Sequence, residues 1–129
     1  MPEPRIWGSK ISQVGSKFHR ARLTTRNRAV ITQADLTGTI QKKVFDLHSV
    51  DADTAVFAGS NTIASVVFNS MQPWEDDAAG YNLEVTTTSN EVGGWIGGHT
   101  YRVEIYYTHL TEGRCVVTFE VAAAPLLGA

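Results

Sequence analysis

Residues 97–107 (GGHTYRVEIYY) and 114–121 (RCVVTFEV) constrain what this chain can fold into more than any other stretch. Both alternate side-chain character and are rich in β-branched and aromatic residues, the pattern of a half-buried strand. In the first, Tyr101, Val103, Ile105 and Tyr107 fall on one face, with Arg102 and Glu104 on the other. In the second, Cys115, Val117, Phe119 and Val121 share a face, opposite Arg114, Thr118 and Glu120. The connection, residues 108–113 (THLTEG), ends on a glycine, as short hairpin loops that need a positive φ often do. The pair reads as an antiparallel hairpin whose core positions are Tyr101, Val103, Ile105, Val117, Phe119 and Val121. Such a hairpin has to bury its apolar face against another layer.

The rest of the chain offers short strands for that layer. Residues 18–24, 39–47, 62–68 and 81–87 carry alternating or β-branched runs, separated by turn signals. Residues 25–28 read as a turn in which Asn27 tolerates an unusual backbone angle. Residues 31–36 read as a capped turn, because Thr32 and Asp35 can bond nearby backbone N–H groups. Residues 70–77 form a loop, and residues 90–98 a glycine-rich connection around Trp95. No helix longer than two turns and no internal repeat is expected. The expected fold is all-β: an immunoglobulin-like antiparallel β-sandwich of about seven strands. A length of 129 residues suits one such domain with an appendage.

The appendage is read from charge. The whole chain has a formal charge of −2, but residues 1–28 hold seven basic residues against one acidic, a net +6. Residues 29–129 hold four basic and twelve acidic, a net −8. The division is therefore an extended basic N-terminal arm over residues 1–28 and a sandwich over residues 29–129. Pro2, Pro4, Gly8, Gly15 and several serines deny the arm a core of its own. Its apolar residues Ile6, Trp7, Ile11 and Val14 suit docking into a groove, with Trp7 as the anchor. Arg5, Lys10, Lys17, Arg20 and Arg22 complete the expected protein-interaction set. These cations would meet acidic surfaces on neighbouring chains, copies of this chain included. Nucleic acid is the disfavoured partner, because an acidic body would repel a duplex.

Chemistry is harder to find. His19, His48, His99 and His109 lack zinc-ligand spacing. Asp51 with Asp53, and Glu75, Asp76 and Asp77, lack the spacing of a calcium loop and read as solvated acids. Cys115, the single cysteine, excludes an intrachain disulfide and sits on an apolar strand face. There is no Gly-x-Ser-x-Gly elbow, and residues 93–98 (GGWIGG) have no lysine and no following helix to make a phosphate loop. The expectation is no enzyme, no cofactor, no metal and no small-molecule substrate. No apolar run reaches bilayer-spanning length, and the first residues lack the apolar centre of a signal peptide.

Two resemblances sharpen this reading. Asp77-Ala78-Ala79-Gly80-Tyr81 resembles the Asp-x-Ala-x-Tyr corner that precedes the second cysteine of immunoglobulin domains, with Leu83 in the cysteine's place. It implies that Tyr81 bonds its hydroxyl back to upstream backbone. The capped turn of residues 31–36 before a strand, with Asp77, Gly80, Tyr81 and Asn82 leading to Gly98, Tyr101, Arg102, Val103 and Glu104, resembles small structural proteins of tailed bacteriophages. More distantly it is similar to the N-terminal sandwich of phage baseplate upper proteins. The resemblance spans residues 30–122. It implies a virion component, made in the host cytoplasm, whose partners are other virion proteins and copies of itself. Capsid decoration, neck, tail and baseplate positions all stay open. The alternative is an adhesion module binding a host glycan or receptor through an aromatic platform of Trp74, Trp95, Tyr106 and Tyr107.

Overall fold

The C-terminal hairpin is the centre of the larger of two sheets. In a computed structural model of the chain, residues 6–12 are described as strand backbone and residues 16–124 with their side chains. The strands are β1 (Ile6–Ser12), β2 (Ser16–Ala21), β3 (Leu36–Asp46), β4 (Phe57–Asn61), β5 (Val67–Gln72), β6 (Tyr81–Thr88), β7 (Thr100–His109) and β8 (Gly113–Ala124). The larger sheet has the order β1-β8-β7-β3-β4 and the smaller the order β2-β6-β5. Strands β2 to β8 pair antiparallel, while β1 runs parallel to β8 at the sheet edge. Lettering β2 to β8 as B, C, C′, D, E, F and G gives the immunoglobulin arrangement, G-F-C-C′ facing B-E-D.

The alternation that defines the hairpin also builds the core. Val103 stands opposite both Phe119 on β8 and Val44 on β3, and all three are buried. Tyr101, Ile105, Val117 and Val121 continue this layer, and Ala21, Val67, Leu83 and Val85 of the smaller sheet close it. Gly113 takes a positive φ of 82° at the end of the hairpin turn, as its place in the loop predicts. The turn before β3 is one 3-10 turn, Gln33–Asp35, held by Thr32 N–H and Oγ1 donating to Asp35 Oδ2 at 2.9 and 3.1 Å.

Three readings change. Residues 62–68 are not one strand: α1 (Ile63–Val66), a single helical turn, carries the chain from β4 at the edge of one sheet to β5 at the edge of the other. The sandwich also begins before residue 29. Ser16–Ala21 pairs with β6 along its whole length, since His19 and Ala21 point inward and are buried. The segment of residues 1–28 is thus not one arm outside the sandwich. Finally, Tyr81 is not the corner tyrosine, because it opens the E-like strand β6 and packs its ring edge-on to Phe68 and Trp74. That role falls to Tyr101 at the start of the F-like strand β7.

Candidate interaction surfaces

The expected interaction residues divide by position. Arg5 and Val14 lie outside the described residues. Ile6, Trp7, Lys10 and Ile11 lie on β1, in register with Thr118, Phe119, Ala122 and Ala123 of β8. β1 is thus an added edge, held by a parallel main-chain ladder to a single neighbour.

Lys17, Arg20 and Arg22 belong to the sandwich instead. Arg20 Nε donates to Glu84 Oε2 at 2.6 Å, and its guanidinium lies 4.7 Å from the centre of the Tyr81 ring. Arg22 Nη1 donates to Asp77 Oδ2 at 2.6 Å. These two arginines tie β2 to β6 and to the loop before it, so their charge is neutralised within the chain. Lys17 is half-buried beside His19. The positive charge read as one arm is therefore partly structural.

Charges elsewhere are left facing solvent at the two ends of the sandwich. At the β7–β8 end, Thr25 and Arg28 close a turn through Arg28 N–H donating to Thr25 O at 2.9 Å. Arg28, rather than Asn27, takes the left-handed backbone, with φ 65°. Arg26 and Arg28 are exposed on this turn, and neither forms an ion pair with a described residue. Of the acids at this end, Glu112 accepts the Arg26 N–H at 2.8 Å, Asp35 caps Thr32 and Asp77 pairs with Arg22, while Glu75 and Asp76 are exposed beside Arg20. At the opposite end, the β3–β4 connection exposes Asp51 and Asp53. The sequence counted Arg26 and Arg28 as charge without marking them as contact residues, since only the fold shows which cations have carboxylate partners among the described residues.

The buried polar groups serve the fold. Lys42 Nζ, on the core-facing side of β3, donates to Thr86 O at 2.8 Å and to Glu91 Oε1 at 2.9 Å. Burial pushes the Glu91 carboxyl up, but the Thr88 N–H and Lys42 outweigh it and hold it below the usual carboxylate range. His19 Nε2 meets Thr87 Oγ1 at 2.9 Å. Burial, with the charges of Lys42 and Lys17, pushes the His19 imidazole down to about 3. Burial pushes the Cys115 thiol up, the opposite of what a thiolate nucleophile needs. His99 Nδ1 lies 2.8 Å from Asp46 Oδ2 with His48 stacked on the His99 ring. Among the described residues no group of three or more His, Cys, Asp or Glu side chains is placed to hold a metal ion.

The aromatic platform does not assemble. Trp95 and Tyr107 are buried in the core. Trp74 borders a cleft of about 540 Å³ beside Arg20 and Asp76, on the smaller sheet's side. Tyr106 lies on the outer face of the larger sheet, under the Arg114 guanidinium at 4.5 Å. The four rings therefore do not share one surface. No protein-family model, no curated protein and no solved structure matches this chain.

Proposed function

We propose that this protein is a non-enzymatic assembly subunit of a bacteriophage particle, joining copies of itself and other virion proteins through its leading strand and the surface of its sandwich. The observation that carries the assembly part is β1. A strand added to a sheet edge by one parallel ladder, next to a segment without a core of its own, is the element most readily exchanged with a neighbour. Trp7, in register with Phe119, is its anchor. The phage assignment rests on the resemblance carried by residues 31–36 and 80–104.

The test is sedimentation velocity on the full chain, on a chain lacking residues 1–12, and on Trp7→Ala. The full chain is expected to associate. Trp7→Ala is expected to weaken association by about 2 kcal/mol, a hot-spot loss, while the sandwich keeps its circular dichroism. Association unaffected by both changes would remove the leading strand from the interface.

A further inference from the structure

We infer that copies of this chain stack head to tail, the Arg26–Arg28 turn of one against the Asp51–Asp53 loop of the next. The inference deepens the assembly reading and rests on it. β3 starts at the first end, where Leu110 N–H donates to Asp35 O at 2.9 Å, and finishes at the second, where Leu47 N–H donates to Thr100 O at 2.9 Å. Its eleven residues separate the two tips by roughly 33 Å of strand.

The two turns are complementary in sign, and the exposed acids at the first end, Glu75 and Asp76, sit beside Arg20 and Trp74 rather than on the basic turn. Arg26 and Arg28 are exposed at one, Asp51 and Asp53 at the other, and none of the four forms an ion pair with a described residue. Both tips also expose apolar side chains that nothing in the sandwich covers. Leu110 is 66% exposed beside the basic turn, and Val50, within the acidic loop, is 100% exposed. An apolar contact ringed by opposite charges is how protein interfaces combine affinity with orientation. The two tips are different surfaces, so the contact is heterologous. It propagates as a ring when the rotation between copies closes and as a filament when it does not.

Two full-length variants test this directly, Arg28→Cys and Asp53→Cys, with the native Cys115 buried out of reach. Mixed and oxidised, they are expected to give a covalent 28–53 dimer that neither variant gives alone. Adding Arg26→Glu to the first variant should abolish that dimer, and adding Asp51→Lys to the second as well should restore it. If sedimenting assemblies form without the 28–53 link, head-to-tail stacking is overturned while the assembly reading stands. If neither link nor assembly forms, both are overturned.

Discussion

The backbone N–H of Ile96 donates to the hydroxyl of Tyr101 at 2.8 Å, five residues along the chain. This bond fastens the glycine-rich connection between β6 and β7 to the start of β7, the place of the tyrosine corner in immunoglobulin domains. Trp95 packs edge-on against the same ring at 4.9 Å, so bond and packing fix one corner together. Tyr101→Phe keeps the ring and removes the acceptor. It is expected to cost about 1 kcal/mol in chemical denaturation, the worth of one hydrogen bond, with the m-value unchanged. An unchanged midpoint would mean that packing alone holds the corner.

The misplacement of that corner shows what was legible. The hairpin was readable because ten or more residues had to agree on one period, and its six core positions are all buried. The corner motif asked for agreement among three residues, and residues 77–81 satisfied it by chance. Residues 62–68 carry an apolar run that fits a strand or a helical turn equally, and only the crossing between sheets decides for one turn followed by β5. The charge count treated every arginine alike. Its partition into Arg20 and Arg22, which are paired, and Arg26 and Arg28, which pair with no described residue, depends on carboxylates more than fifty residues away.

The imidazole of His19 makes stability depend on acidity. Its pKa is about 3 in the folded chain and ordinarily near 6.5. As pH falls below about 6, the unfolded chain takes up a proton that the folded chain refuses, so stability falls with pH until about 3. The slope is about 1.4 kcal/mol per pH unit across that window. Above about 7 the group contributes no slope. His19→Gln, which can keep a bond to Thr87, should flatten the fall of melting temperature between pH 6 and pH 4. Identical pH profiles for the two proteins would contradict this account.

Gly80 sits at φ 86° where the loop enters β6, and a Cβ placed there would run into the carbonyl oxygen of Gln72. Backbone strain and a backbone clash act together at this position, and no flexible side chain can yield to relieve them. Gly80→Ala should therefore cost about 2 kcal/mol or more. Gly93→Ala has the positive φ but open space around it, and should cost about 1 kcal/mol. Equal losses in thermal denaturation would show that conformation alone sets both values.

Lys42 and Glu91 provide the sharpest energetic test. Lys42 is buried on the core side of β3, its ammonium held by both Glu91 oxygens and Thr86 O, and 4.9 Å from the centre of the Phe57 ring. A buried ion pair adds little net stability, yet breaking it strands a charge. Glu91→Gln keeps the side chain near Thr88 and removes its charge, leaving the ammonium with neutral acceptors alone, Thr86 O and the amide oxygen. Because Glu91 is partly solvated, the expected loss is about 2 kcal/mol, below the range for a fully buried pair. Lys42→Met replaces the stem and deletes the charge. In that background Glu91→Gln should cost less than half as much. The coupling from the double-mutant cycle should therefore exceed about 1 kcal/mol. Coupling near zero would mean that the ammonium is satisfied by Thr86 O and the Phe57 ring without its carboxylate.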